Sequence, residues 1–124
     1  MIEMMLEEKD KWWIVGFIES KGVFTKNKIK IRQKTEKGDK KYEYTNPAFY
    51  LVSKDISALE IMSELLGLGQ IKKHGPISHL EVRRKGETIR LAEFLKDNFK
   101  SEIRRQQFER WRQMVLQWKG RGRG

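Results

Sequence analysis

A chain of 124 residues is long enough for one domain with its own core and too short for two. Its 27 Lys and Arg against 17 Asp and Glu leave +10 at pH 7, a balance that fits a polyanionic partner, of which nucleic acid is the commonest. The absence of cysteine excludes disulfides and thiolate metal sites and suits a reducing interior, cytoplasmic or organellar. No apolar run approaches membrane length, and the start MIEMMLEEKD is too acidic for a secretory or transit leader. Charged residues make up 35% of the chain, and their Lys, Arg and Glu bias leans toward a thermophilic prokaryote.

Residues 5 to 20 read as a helix that becomes apolar toward its end in WWIVGFI, with Gly22 placed to stop it in a left-handed cap. From Val23 the period changes to two. In KNKIKIRQK the even positions Lys26, Lys28, Lys30, Arg32 and Lys34 fall on one face of a strand and Ile29 and Ile31 on the other. TEKGDKK turns the chain with Gly38-Asp39 at its tip, and residues 42 to 52 return as a strand in which Pro47 marks a bulge or an edge.

DISALEIMSELLG is an amphipathic helix capped by Asp55 and Gly67, burying Leu59, Met62, Leu65 and Leu66. GQIKKH, the turn GPIS and HLEVRR form a second hairpin. TIRLAEFLKDNF gives a third helix, and SEIRRQQFERWRQMVLQW a fourth, with Ser101 as N-cap and Ile103, Phe108, Trp111, Val115 and Trp118 at helical spacing. Trp12, Trp13 and Phe17 also read as core. Residues 119 to 124, KGRGRG, read as a flexible basic tail after a single domain of residues 1 to 118.

The element order α-β-β-α-β-β-α-α is that of an α+β fold: a four-stranded antiparallel sheet with helices on one face and an open basic face. Such a face suits duplex DNA, whose major groove admits a two-stranded ribbon. Lys26, Lys28, Lys30, Arg32, Lys34, Lys72, Arg83 and Arg84 would meet phosphates or guanines, and Gln33, Gln70 and His74 base edges. His74 and His79 sit in or beside a turn with no acid at helpful spacing, so turn chemistry or DNA contact outranks metal binding for them.

WIVGFIESKGVF ahead of two strands, FYLVSKDISALEIMSELLGLGQI and the basic KSEIRRQQFERW together resemble the single-motif LAGLIDADG homing endonucleases over roughly residues 10 to 118. The nine-residue counterpart of their motif is IVGFIESKG, residues 14 to 22. The resemblance implies the homing-endonuclease-like αββαββα(α) fold and an intron-encoded, site-specific endonuclease. It implies a homodimer whose motif helices pack through Val15, Gly16 and Ser20, on a pseudo-palindromic duplex, with acids at the motif ends binding Mg²⁺ or another divalent metal.

Carried over residue by residue, Glu19, Ser20 and Lys21 are the metal-end positions, Arg104 aligns with a basic residue near the scissile phosphate, and Ser53 with a polar residue that orders water. The eighth motif position departs from the family: it holds Lys21 where an Asp or Glu ligates metal. An ammonium cannot ligate a cation, so this chain is expected to be cleavage-deficient, unless Glu19 takes over as ligand through a shifted helix end. A cleavage-dead DNA-binding regulator, an RNA-splicing maturase and a basic ribosomal-type protein are the alternatives; RNA is a partner in the second.

Overall fold

Four helices and four strands follow one another in the order read from the periodicity, in a computed structural model that describes residues 6–121. Helix α1 is Glu8–Lys21, strands β1 and β2 are Val23–Thr35 and Gly38–Ser53, and α2 is Ile56–Leu66. Strands β3 and β4 are Gln70–His74 and Ile77–Val82, and α3 and α4 are Lys85–Leu95 and Glu102–Gly120. The strands form one antiparallel sheet, β1-β2-β4-β3, so the two hairpins join along β2 and β4. Among the described residues, no helix is long and apolar enough to cross a membrane.

The caps fall where their residue types require. The Asp55 carboxylate accepts the Ser57 hydroxyl at 2.6 Å and the Ala58 N–H at 3.2 Å, and chiefly the first holds its carboxyl below the ordinary carboxylate value. The stability this cap adds is therefore full at neutral pH and is lost as pH falls through the lowered value. Gly67 closes α2 at φ 67°, and the Ser101 hydroxyl accepts the Arg104 N–H at 3.4 Å to open α4.

Gly22 ends α1 for a different reason from the one expected. Its φ is −65°, open to any residue, but a Cβ there would lie 2.7 Å from the Ile18 carbonyl and 2.8 Å from the Phe49 ring. The first hairpin turns at Glu36-Lys37 rather than Gly38-Asp39, with Gly38 at φ 111° opening β2. Pro47 lies where β2 has β1 on one side only, since pairing to β4 begins at Phe49. Helix α4 continues through Lys119 and Gly120, two residues into the segment read as a tail, and residues 122–124 of that segment lie outside those described.

One core joins the sheet to its helices. Phe49 pairs with Val82 and Leu51 with Leu80, and all four are buried against Ile14, Val15 and Ile18 of α1, Leu59, Met62 and Leu66 of α2, Leu91 and Leu95 of α3, and Phe108, Trp111 and Val115 of α4. Phe24 of β1 stands opposite Phe49 and meets the rings of Phe49, Phe99, Phe108 and Trp111 at centroid distances of 5.1 to 6.0 Å. The Trp111 indole N–H donates to the carbonyls of Thr25 and Ala48 at 3.1 and 3.0 Å, pinning α4 across β1 and β2.

This register decides which face each β1 side chain takes. Burying an aromatic of this size is worth about 1.5–3 kcal/mol, so Phe24 sets the parity of its strand. Lys26, Lys28, Lys30, Arg32 and Lys34 do share one face, as expected, but it is the face of Phe24 and not the open one. They are solvated because the hairpin runs out beyond the core. The open face receives Thr25, Asn27, Ile29, Ile31 and Gln33, with Tyr42, Tyr44 and Asn46 across the ladder.

Candidate functional site

Most residues singled out in the sequence lie in three places: the last turn of α1 where it meets α4, the open face of the sheet, and, for the β1 cations, the other face of the projecting hairpin. Helix α1 turns Ile14, Val15 and Ile18 into the core, which removes Val15 from any surface available to a partner. Its outward side shows Trp12 at 45% and Trp13 at 38% exposure, with Gly16 and Ser20 exposed between them and Lys21. The two tryptophans are therefore surface residues and not core. Trp13 packs edge-on against Phe17 at 5.7 Å, and Trp12, Trp13, Gly16, Phe17, Ser20 and Lys21 line a shallow groove of about 430 Å³. A Cβ at Gly16 would meet nothing within 4 Å, so the chain's own fold does not require glycine there.

The last turn of α1 and the first turn of α4 clamp each other. Glu19 Oε2 accepts the N–H groups of Lys100 and Ser101, both at 2.6 Å, and so serves donors at the entry to α4. In return, Arg104 of α4 reaches back to the end of α1: Nε donates to the Glu19 carbonyl at 2.7 Å, and Nη2 to the carbonyls of Ile18, at 3.3 Å, and Gly22. Its Nη1 donates to Gln107 Oε1 at 2.6 Å, and the guanidinium stands 5.6 Å from the Phe24 ring centroid. A cation at a helix C-terminus also complements the dipole there.

A divalent ion of the Mg²⁺ kind needs carboxylate or carbonyl oxygens. At this end Glu19 holds two backbone donors on one oxygen, and Arg104 occupies the carbonyls of Ile18, Glu19 and Gly22. The Ser20 hydroxyl donates to the Phe17 carbonyl at 3.0 Å, and exposed Lys21 presents an ammonium. The residues present do not fit a divalent cation. Ser53, which the resemblance would make a water-ordering residue, accepts the Asp55 N–H on its hydroxyl at 3.0 Å at the entry to α2.

The open face is continuous across both hairpins. Asn27 and Gln33 of β1 join Tyr42, Tyr44 and Tyr50 of β2, His79 and Glu81 of β4, and Gln70, Lys72 and His74 of β3. The Tyr50 hydroxyl donates to Asn27 Oδ1 at 3.0 Å, and Ala48, on the rung between theirs, is buried. Lys72 pairs with Glu81 at 3.1 Å. Gln70, Lys72 and His74 stand together on β3, whereas Gln33, laddered to Lys40, lies far out along the projecting first hairpin from the Tyr50–Glu81–Gln70 rung. Arg83 and Arg84 lie past the end of β4, where the Arg84 carbonyl accepts the Thr88 N–H and hydroxyl as α3 begins. Asn27, Tyr42, Tyr44 and Glu81 were missed; the parity of Phe24 was the signal that places the first three.

No protein-family model matches the chain. It is 28% identical over 111 residues to "Probable intron-encoded endonuclease 4" of Neurospora crassa, a match that takes in 87% of this chain but only 18% of that protein. Among solved structures, the homing endonuclease I-TnaI has a TM-score of 0.73 at 20% identity, over 88% of this chain and 73% of its own. The archaeal intron-encoded homing endonuclease I-Vdi141I, complexed with DNA, has 0.72 at 23% identity, over 93% and 72%. The LAGLIDADG meganuclease I-AabMI, bound to uncleaved DNA, has 0.71 at 20% identity, over 88% and 36%. These neighbours are LAGLIDADG homing endonucleases, and the chain has the fold of that family.

Proposed function

We propose that the chain is a site-specific duplex-DNA-binding protein of the intron-encoded homing endonuclease type, that it works as a homodimer, and that as written it holds its site without cutting it. The observation that carries this reading is the uncovered sheet face on a chain of net charge +10, in a fold shared with structures solved on DNA. Gln33, Gln70, Lys72 and His74 offer hydrogen bonds to base edges, while the β1 cations on the other side of the projecting hairpin supply a sequence-blind attraction to phosphates. The endonuclease chemistry implied by the fold and by the Neurospora relative calls for Mg²⁺ or a similar ion at the end of α1, and Lys21 stands where its ligand belongs.

The two sets of side chains separate in a binding experiment. Gln33→Ala and Gln70→Ala are expected to lower affinity for a selected duplex about 5- to 150-fold each, the worth of a bidentate base contact, and to leave random duplex nearly unaffected. Lys30→Ala and Arg32→Ala are expected to weaken all duplexes alike and to lower the salt slope by about one unit each. Equal losses on selected and random DNA for the glutamine variants would remove the open face from recognition.

Exposed tryptophans beside a glycine that the monomer does not need are what a self-association surface requires. Gly16→Leu is expected to shift the chain from dimer to monomer in light scattering while its circular dichroism stays unchanged. A parent chain that is monomeric at every concentration tested would contradict the paired-helix arrangement.

A further inference from the structure

We propose that His74, His79 and Glu81 form a binding site for a transition-metal dication of the Zn²⁺ and Co²⁺ class, separate from the end of α1; it shares His74 with the DNA-binding reading but does not rest on it. Their spacing in sequence hides the cluster, because the contact runs across the hairpin. His74 pairs with Ile77, so His79, two residues on, lies diagonally opposite it on the same face, and Glu81 follows two residues later. One ligand atom from each of the three lies within 4.8 Å of the others, and the imidazole centroids are 4.4 Å apart.

Two imidazole nitrogens and one carboxylate are the donor set of zinc and cobalt sites with an open coordination position. Bonds of about 2.0–2.2 Å place ligand atoms roughly 3–3.5 Å apart, so closure needs a contraction of under about 2 Å. Exposed His74, at the end of β3, has the freedom to make it. The other two ligands are held. Glu81 is laddered to Tyr50 on one side and Gln70 on the other, and His79 to Val52 and Lys72. The Glu81 side chain is only 10% exposed, and Lys72 balances its charge at 3.1 Å when no metal is bound. A hard ion such as Mg²⁺, which wants oxygens and water, gains little from this set.

The chain has two histidines and no cysteine, so every imidazole it can offer a metal is in this cluster. That makes the test clean. The full chain, without a histidine tag, is titrated with Zn²⁺ by calorimetry, and with Co²⁺ by visible absorbance. Uptake of one Zn²⁺ per chain is expected, with both imidazole signals shifting in NMR and no displacement by excess Mg²⁺. His79→Ala and Glu81→Gln are each expected to weaken binding by at least about tenfold. His74→Ala, at an exposed turn position, gives the same loss without touching the core. Lys72→Gln removes the competing ammonium and is expected to tighten Zn²⁺ binding severalfold. Failure of the chain to take up one Zn²⁺, or uptake indifferent to His74→Ala and Glu81→Gln, would overturn the site.

Discussion

Changing Lys21 to Glu is expected to turn a chain that binds a duplex without cutting it into one that cleaves both strands in Mg²⁺. Metal-assisted hydrolysis draws several kcal/mol from charge stabilisation, so the gain is expected to be roughly a thousandfold or more. The substitution should leave the fold intact, because Lys21 is exposed and makes no hydrogen bond or ion pair among the described residues. Its cost is the loss of a cation at a helix C-terminus and the arrival of an anion there, about 0.3–1 kcal/mol for each change. Glu19 stays on the Lys100 and Ser101 N–H groups, so the new carboxylate is the acid left open to a metal. Lys21→Gln is the control, since it removes the ammonium without supplying a ligand. Single-turnover cleavage of a selected duplex by the parent, the Glu variant and the Gln variant decides the matter: only the Glu variant should cut. Cleavage by the parent would remove Lys21 from the metal position.

Arg104→Ala is expected to destabilise the protein by about 3 kcal/mol and to lower Tm by roughly 10 °C, one of the larger effects available outside the aromatic core. One guanidinium satisfies the carbonyls of Ile18, Glu19 and Gly22 at the point where α1 gives way to β1, and Gln107 besides. Truncation leaves these part-buried acceptors without their charged donor and frees α4 from α1. Arg104→Lys should recover less than half of the loss, because a single ammonium cannot span three carbonyls with a fixed fork. A loss below about 1 kcal/mol for Arg104→Ala would mean that the clamp carries little. In this reading Arg104 acts on a scissile phosphate only indirectly, by fixing the helix end that carries Lys21, and so is a positioning residue.

The sequence made the elements legible because their periods differ and their ends are marked: Asp55 and Ser101 cap through their side-chain oxygens, and Gly67 through the left-handed backbone that the lack of a Cβ permits. Alternation in β1 divided the cations from the isoleucines, and the basic set was expected on the open face. Phe24 turns them the other way, an even-numbered residue half-buried against four aromatic rings that arrive from residues 49 to 111. Trp12 and Trp13 read as core from their helical spacing, yet Ile14, Val15 and Ile18 already fill the inward side of α1. Ile103 was placed on the buried stripe of α4 and is 68% exposed, since about 100° per residue carries it some 140° around the helix from Phe108.

The site was legible only in part, for a physical reason. Lys21 and Glu19 were singled out within the motif and Arg104 through the family resemblance, but the bonds between Glu19 and the start of α4 join residues 81 and 82 positions apart. No local pattern encodes such a contact. The approach of Glu81 to both histidines is likewise a property of the β3–β4 register and not of spacing along the chain.

The most direct test of the account is a binding selection with the chain as written, from random duplex DNA in the absence of divalent metal, followed by sequencing of the retained pool. Enrichment of one pseudo-palindromic site, two inverted half-sites for a two-fold dimer, is the expected result. A retained pool with no sequence preference would contradict the account and leave only a basic protein that meets nucleic acid through its charge.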